Sequence, residues 1–401
     1  MSVDKFNRDM FNDFDMEDPE FSDRFYEVLD SFLSECPVAT SKVGTGYYVL
    51  NRHRDVKKAA QDWESFSSGE GFIPDRDPNM PLLPPTEMDP PDHTSWRRAL
   101  QPFFSREAIV AYEGPVRDEA IALIDKFVDQ GECDIVSDYT GVLPGRAMFV
   151  NLLDIPSEDI PKLAADLDSG FYGPKETRAA RFAEGVAYVE DYLNRRAEQP
   201  SGGKVVDVIA AGVEVNGEVC SKHDRLGVMT DLMLGGIITA TSVMAGAFWY
   251  LATHPEDRAE LAKDFSKIPN AVEEFIRYFP PVVMLGRRVM RDVTVADRDF
   301  KKGDYVMLNY ASASRDPELC ERPDVLDIDR RRVPSSSFGV GIHRCLGAHF
   351  ARMEIRIALE EFLRRIPEFE VKPGSTPVYE TNNLRAMHSL SLIFPSGAAK
   401  A

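Results

Sequence analysis

Hydrophobic positions recur with helical periods in the middle of the chain and with strand-like periods near both ends. The stretch "GTGYYVLNRH" (44–53) alternates like a strand, and helical periodicity dominates from 92 to about 280. The segment "VTVADRDFKKGDYVMLN" (293–309) is strand-like, and "AHFARMEIRIALEEFLRRI" (348–366) is an amphipathic helix followed by short strands. This pattern predicts a mainly α fold with small β-sheets.

One apolar segment, "LGVMTDLMLGGIITATSVMAGAFWYL" (226–251), is long enough to span a bilayer. It is solitary, carries Asp231 and has a middle rich in Gly, Thr and Ser. Ionisable residues are costly inside a membrane. We therefore expect a helix buried in a soluble protein and no membrane partner.

The composition permits a large core and argues against nucleic acid as a partner. The chain has 401 residues, of which 43% are hydrophobic, and a formal net charge of −19. Phosphate backbones are bound by clustered Lys and Arg, which this acidic balance does not favour.

The cysteines and the N-terminus both fit a cytoplasmic protein. The N-terminal sequence is charged and has no apolar run, so we expect neither a signal peptide nor a membrane anchor. The cysteines show no CxxC spacing, which makes a disulfide framework improbable and fits a reducing compartment. They are Cys36, Cys133, Cys220, Cys320 and Cys345.

The turn "SSSFGVGIHRCLGAHF" (335–350) places Cys345 just before a helix. A thiolate is a soft ligand for iron, and haem takes a strong axial donor from the protein. Gly339 and Gly341 would let the backbone approach a flat macrocycle. The start of the following helix should lower the pKa of the Cys345 thiol.

Two other interpretations of this turn remain open on the residues alone. The first is a structural cysteine in a buried turn. The second is a zinc site formed by His343, Cys345 and His349, which would have three ligands on one short turn and no fourth nearby.

The segment "FGVGIHRCLG" (338–347) resembles the haem-binding loop of the cytochromes P-450, FGxGxHxCxG, at every position. The resemblance extends over nearly the whole chain. It implies a single catalytic domain over residues 1–401 with the cytochrome P-450 fold. It also implies haem b (iron protoporphyrin IX) ligated by Cys345, in a loop that includes Phe338, Gly339, His343 and Gly347.

A buried charge cluster is the second point of resemblance. "EEFIR" contains Glu274 and Arg277, which match the helical ExxR pair of the family. Residues three apart share a helix face, so this acid and base can form an ion pair. In "DIDRRR", Arg330 fits the third member of the cluster, although two further arginines leave the register open.

The haem propionates need cations, and the resemblance implies where these lie. "HTSWR" places His93 and Arg97 at i and i+4, in the propionate-binding position of the family. Arg287 in "MLGRRVMRD" occupies another such position. His343 could also reach a propionate.

The apolar helix aligns with the oxygen-activating motif of the family, usually [AG]Gx[DE]T. In "GGIITATS", Gly235 and Gly236 would give room for dioxygen, and Thr239 is the catalytic alcohol. The acidic position before the threonine is Ile238 here. We therefore expect Thr239 to be supplied with protons by water, ordered by Glu354.

Two segments are most similar to bacterial camphor hydroxylase, "FSSGEGFIP" (66–74) and "PTEMDPP" (85–91). They bracket the Pro-rich loop that covers the substrate. Pro81 stands where that enzyme has the tyrosine that binds the ketone of camphor, and Leu83 stands for a pocket Phe. Camphor recognition is therefore not expected.

The resemblance implies an apolar pocket that favours a terpenoid-sized substrate, because burying an unpaired charge is costly. Asp231 is the exception, since it could meet an amine or hydroxyl or could form a salt bridge away from the haem. The predicted lining is Phe72, Leu83, Asp231, Leu234, Ile238, Val283, Met284 and Leu384.

The activity implied is that of a haem-thiolate monooxygenase that inserts one atom of O2 into an apolar small molecule. The sequence ends at Ala401 without a flavin or iron–sulfur module, so we expect a separate ferredoxin and its reductase. Arg97, Arg98 and Arg344 would offer positive charge to an acidic ferredoxin.

Two other functions are compatible with haem binding. One is a peroxygenase that uses hydrogen peroxide directly, and the other is a non-catalytic haem sensor or carrier. Thr239 argues against the peroxygenase, and the Gly-Gly pair together with Thr239 argues against the sensor or carrier.

Overall fold

The structure is a computed structural model that describes residues 6–76, 82–172, 175–215, 217–331, 333 and 335–396. Helices form most of its ordered elements, as predicted. In chain order they are α1 Pro19–Asp23, α2 Phe25–Glu35, α3 His53–Gln61, α4 Asp92–Leu100, α5 Arg106–Ile109, α6 Glu113–Ile124, α7 Leu143–Arg146, α8 Ile160–Tyr172, α9 Lys175–Glu198, α10 Val205–Ala211, α11 Lys222–Thr253, α12 Pro255–Lys263, α13 Ile268–Tyr278, α14 Tyr310–Ala313 and α15 Ala348–Arg365.

The strands are short and form small sheets, also as predicted. They are β1 Val38–Ser41, β2 Tyr47–Leu50, β3 Phe66–Ser67, β4 Glu132–Asp134, β5 Glu214–Val215, β6 Glu218–Val219, β7 Met284–Val289, β8 Val293–Val295, β9 Arg298–Phe300, β10 Tyr305–Asn309, β11 Glu370–Val371, β12 Val378–Thr381, β13 Arg385–Ser389 and β14 Ser391–Ile393. The largest sheet has the order β1-β2-β10-β7-β3, and β7 pairs antiparallel with β10.

Helix α11 is the apolar segment singled out in the sequence, and it begins with a capping box. The Ser221 hydroxyl accepts from the Asp224 N–H at 3.1 Å, and the Asp224 carboxylate accepts from the Ser221 N–H at 3.0 Å. Of the described helices, α11 alone is apolar and long enough to cross a membrane, yet over half of its most apolar stretch is buried inside the protein. The expectation of a buried core helix is confirmed.

Helices α11 and α15 pack against each other through aromatic side chains. The rings of Phe248 and Phe362 have centroids 4.6 Å apart, and both side chains are fully buried. The Tyr139 ring lies 5.9 Å from that of Phe248, and its hydroxyl donates to the Ala358 carbonyl at 3.0 Å. These contacts hold α11, the apolar helix, against α15, the helix that follows Cys345.

Glu274 and Arg277 of α13 form a buried bidentate ion pair, with two N–O distances of 2.8 Å. Arg330 completes the cluster at 2.9 Å from Glu274, which resolves the register among the three arginines. Arg277 also donates to the Ser314, Pro323 and Val325 carbonyls. Burial raises the pKa of Glu274, but hydrogen bonds from Arg277 and Arg330 outweigh it, and the pKa is lowered.

Replacing Glu274 should destabilise the whole fold. Glu274→Gln leaves the guanidinium of Arg277, which is 1% exposed, without its counter-charge. Breaking a buried pair from one side costs about 3–5 kcal/mol. Urea unfolding of the purified variant would measure this loss in the free energy of unfolding.

The exposed pair between Asp191 and Arg195 provides the matched control. Asp191→Asn should change the free energy of unfolding by no more than about 0.5 kcal/mol. Equal losses in Asp191→Asn and Glu274→Gln would show that the buried cluster does not hold the fold together.

Candidate active site

Backbone hydrogen bonds shape the loop that carries Cys345. The Gly339 N–H donates to the Ser336 carbonyl at 2.8 Å, and the Cys345 N–H donates to the Phe338 carbonyl at 2.8 Å. Phe338, Gly339 and Cys345 line a large interior cavity. The accessible surface of Cys345 therefore belongs to that cavity.

The two glycines of this loop have different tasks. Gly339 has φ +67° and Gly341 has φ +77°, a region that favours glycine. A Cβ on Gly341 would lie 2.3 Å from the Ala60 carbonyl oxygen at the end of α3. Gly341 therefore lets the loop pack on α3, which corrects the expectation that it serves approach to a macrocycle.

The thiol of Cys345 is tuned by opposing effects. Burial raises its pKa, whereas the Gly347 N–H, Arg97 and Arg352 lower it. Burial prevails, so the expected net lowering by the helix start does not occur in the protein alone. A coordinating metal cation deprotonates a bound thiol outright and would hold Cys345 as a thiolate.

Four nitrogen-bearing side chains surround the same cavity: His93 and Arg97 from α4, Arg287 from β7 and His343 from the loop. The two imidazole rings have centroids 4.5 Å apart. His343 Nε2 lies 3.1 Å from the Ser68 hydroxyl oxygen. The structure thus brings together the side chains that were predicted to meet the propionates.

Both histidines are neutral at pH 7. Burial, followed by the charge of Arg97, lowers the pKa of His93 to about 4. Burial, followed by the charge of Arg287, lowers the pKa of His343 to about 2. The imidazoles can therefore donate hydrogen bonds, but the positive charge of this wall comes from the two arginines.

Several of these buried groups have incomplete partners. Within the described residues neither Arg97 nor Arg287 forms an ion pair, and Arg287 donates to the Gly286 carbonyl at 2.7 Å. The ring nitrogens of His93 and the Trp96 indole nitrogen are buried without a hydrogen bond. Buried cations need counter-charges, so this wall fits a ligand with two anionic groups, as haem has in its propionates.

On α11, one glycine opens space and the other accommodates a neighbour. No atom comes within 4 Å of a Cβ placed on Gly235, whereas one on Gly236 would lie 2.3 Å from Met148 Cε. The Thr239 hydroxyl lines the cavity and donates to the Gly235 carbonyl at 2.8 Å. Room beside the Thr239 hydroxyl therefore comes from Gly235.

Glu354 of α15 lines the same cavity as Thr239. Its Oε1 is buried without a hydrogen-bond partner among the described residues. Burial raises the pKa of Glu354 well above its usual range. Burial therefore favours the uncharged, protonated form of Glu354.

The roof of the cavity is held by Glu87, which the sequence analysis did not single out. Its carboxylate accepts from the Phe72 N–H at 3.0 Å and from the Leu83 N–H at 2.8 Å, and Arg76 pairs with it at 3.5 Å. It thus binds both flanks of the roof loop, of which 77–81, including Pro81, lie outside the described residues. In the sequence, Glu87 could have been noticed as a polar residue within a Pro-rich apolar segment.

Asp231 contacts the roof of the cavity and forms no salt bridge away from it among the described residues. The Thr86 hydroxyl, also unnoticed in the sequence, donates to Asp231 Oδ2 at 2.8 Å. Burial raises the pKa of Asp231 to about 8, with a further contribution from Glu87. The side chain is therefore mainly protonated at neutral pH when no ligand is present.

Five of the predicted pocket residues line the cavity, and three do not. Val283 and Met284 lie in the core beneath the largest sheet, and Ile238 stands outside the cavity wall. Side chains alternate along β7, so Leu285 and Arg287 face the cavity while Met284 and Gly286 face away. The residues found there are Phe72, Leu83, Asp231, Leu234 and Leu384, with Val282 and Leu285 replacing the two core residues.

The cavity joins a buried cysteine, a wall of arginine and histidine, and an apolar roof. It encloses about 1760 Å³ of space outside protein atoms, including its open mouth. A soft donor, an open helix face and cations for two carboxylates around one cavity fit a haem-thiolate protein. The donor set fits haem, with Cys345 as ligand and Arg97, Arg287, His93 and His343 at the propionates.

Comparison with known proteins agrees with this class. A family model described as cytochrome P-450 matches residues 178–393. Cytochrome P-450 130 of Mycobacterium tuberculosis is 34% identical over 342 residues, which cover 81% of this chain and 83% of the relative. The cyclomarin C epoxidase CymV of Salinispora arenicola is 32% identical over 363 residues, which cover 87% and 91%.

The fold is shared as well. The crystal structure of CYP101J2 matches with a TM-score of 0.84 at 27% identity, covering 97% of this chain and 96% of that one. The chain therefore belongs to the cytochrome P-450 family, whose members bind the iron of haem b through a cysteine thiolate. It is a monooxygenase of the bacterial type.

Replacing Cys345 should abolish the thiolate signature of the haem. The reduced carbon-monoxide complex of the wild type should show the strongly red-shifted Soret band, and Cys345→Ala should lose it because no other cysteine among the described residues lines the cavity. The other cysteines are controls, and each alanine variant of Cys36, Cys133, Cys220 and Cys320 should keep the band. A thiolate spectrum retained in Cys345→Ala would contradict the assignment.

Proposed function

We propose that this monooxygenase inserts one oxygen atom of O2 into an apolar small molecule of terpenoid size. Residues 1–401 act as one catalytic domain in the cytoplasm, and electrons come from a separate ferredoxin and its reductase. The observation that carries the proposal is one cavity, which the Cys345 loop, Thr239 and the apolar roof line together.

The cavity walls support an apolar body for the substrate. Burying an unpaired charge against such walls would be costly. Closure of the roof by Glu87 helps to exclude water from the cavity. The apolar lining is Phe72, Leu83, Leu234, Val282, Leu285 and Leu384.

The residues of the chain divide the work in this scheme. Haem, when bound, supplies the activation of dioxygen. Cys345 would hold the iron, Arg97 and Arg287 would neutralise the propionates, and His93 and His343 would donate hydrogen bonds to them. Gly235 leaves room beside Thr239 for the reacting oxygen.

Proton supply is the task left to Thr239 and Glu354. The Thr239 hydroxyl donates its hydrogen to the Gly235 carbonyl, so its oxygen is free to accept a hydrogen bond from water. Ile238 has no polar atom and cannot relay a proton. Glu354, whose protonated form is favoured by burial, is the proposed source of protons through that water.

Removing the Thr239 hydroxyl should uncouple electron consumption from product. Thr239→Ala should continue to consume NADH but release hydrogen peroxide, with product per NADH at least about tenfold lower, because the hydroxyl that positions the proton-carrying water is lost. Thr239→Ser, which keeps the hydroxyl, is the control and should remain largely coupled. Full coupling in Thr239→Ala would assign proton delivery to another route.

A cationic surface beside the Cys345 loop supports a ferredoxin partner. Burial lowers the pKa of His349, and the nearby charges of Arg352, Arg106 and Arg344 lower it further. Arg106 and Arg344 are exposed. Arg97, which was expected at this surface, faces the cavity instead and is unsuited to contact a partner. A positive patch complements an acidic ferredoxin.

Charge reversal in this patch should slow ferredoxin-driven turnover. A terpenoid-sized compound that shifts the spin state of the ferric haem provides the substrate. Arg106→Glu should lower the rate of NADH-driven product formation about tenfold at low salt, with a smaller effect at high salt. The control is Arg195→Glu, which reverses an exposed arginine of α9 and should behave like the wild type.

The same assay separates the other two functions. Product formed with hydrogen peroxide but not with NADH, ferredoxin and reductase would support a peroxygenase. Spin-state shifts without product under either condition would support a haem sensor or carrier.

A further inference from the structure

The roof of the cavity contains an acid that the oxygenation chemistry does not use. Asp231 lies on α11, lines the cavity and receives a hydrogen bond from Thr86. Within the described part of the chain it forms no ion pair. It is therefore a buried carboxyl group beside the space where the substrate lies.

Two acids, Glu87 and Asp231, lie beside the roof, and of these Asp231 is the one without an ion pair among the described residues. Glu87, the residue after Thr86, is matched by Arg76 and by two backbone N–H groups. Arg97 faces the cavity wall assigned to the propionates. The charge of Arg97 acts on Asp231, but within the described residues the two side chains form no ion pair.

Burying such a carboxyl group in an apolar wall has a high cost in free energy. A carboxyl group buried there loses its hydration, and hydrogen bonds from the single residue Thr86 do not fully replace it. A cation placed in the cavity beside Asp231 would supply the missing charged partner. A neutral hydrocarbon would make no contact that offsets the lost hydration of Asp231.

We propose that Asp231 is a specificity-determining residue that binds the protonated amine of a substrate whose remaining body is apolar. This rests on the proposed monooxygenase function and names the substrate class more narrowly. Thr86 orients the carboxylate toward the cavity, and the apolar lining receives the hydrocarbon part.

The position of Asp231 also defines where the amine lies relative to the reacting oxygen. Asp231 precedes Gly235 by one helical turn, which is about 6 Å along the axis of α11. The oxidised carbon should therefore be several bonds away from the nitrogen. Oxidation next to the nitrogen would place the amine at Gly235, away from its partner.

The test compares two ligands of the same shape on the haem-loaded protein. One is a terpenoid-sized hydrocarbon that shifts the ferric spin state, and the other is its tertiary-amine counterpart, in which protonated nitrogen replaces one CH group. Steric hindrance keeps the tertiary nitrogen from binding the iron. Spin-state titration and calorimetry both give the two dissociation constants.

In the wild type the amine should bind at least as tightly as the hydrocarbon. Asp231→Asn should lower the preference for the amine, expressed as the ratio of the two constants, at least about tenfold, since a charged partner is lost. Thr86→Val should lower it by a smaller factor. The control Asp191→Asn makes the same change at an exposed acid of α9 that does not line the cavity and should change the ratio less than about twofold.

The outcomes separate this inference from the proposed function. An unchanged ratio in Asp231→Asn, or an amine that does not bind the wild type, would overturn the role of Asp231 while hydrocarbon binding leaves the monooxygenase proposal intact. If no hydrocarbon shifts the spin state and only amines do, the apolar substrate proposal fails and the role of Asp231 is supported.

Discussion

Positive charge buried without protein counter-charge is the constraint on which the site depends. Arg97 and Arg287 reach the same cavity from α4 and β7, and neither has an acidic partner among the described residues. A fold that keeps two such cations, together with the buried thiol of Cys345, needs a dianionic ligand that also carries a metal. Haem meets both conditions at once, so the cavity is complete only with its cofactor.

The parts of the structure that depend on residues close together in the chain were predicted correctly from the sequence. The loop before Cys345 and the pair Glu274 and Arg277 depend on short spacings, and the structure places them as expected. Arg330 could not be chosen among three adjacent arginines, because the choice depends on the distant Glu274. Met284 was misplaced because the face on which β7 begins is decided by its pairing with β10, and Val283, just before the strand, lies in the same core cluster.

Tertiary contacts also determine the roles of residues whose motif alone does not reveal them. Gly341 belongs to a packing contact with Ala60, and Gly236 to one with Met148, although both lie in motifs associated with the cofactor. Two acids differ in task for the same reason. Glu354 lies on α15 near the oxygen site and Asp231 lies under the roof, so one is suited to hold a proton and the other to contact the substrate.

X-ray absorption at the iron edge tests the central claim most directly, because it reports the atoms bound to the metal. The ferric protein should show one sulfur neighbour in addition to the porphyrin nitrogens, and Cys345→Ser should lose that sulfur. Only nitrogen and oxygen neighbours in the wild type would contradict the account, as would a sulfur neighbour that persists in Cys345→Ser.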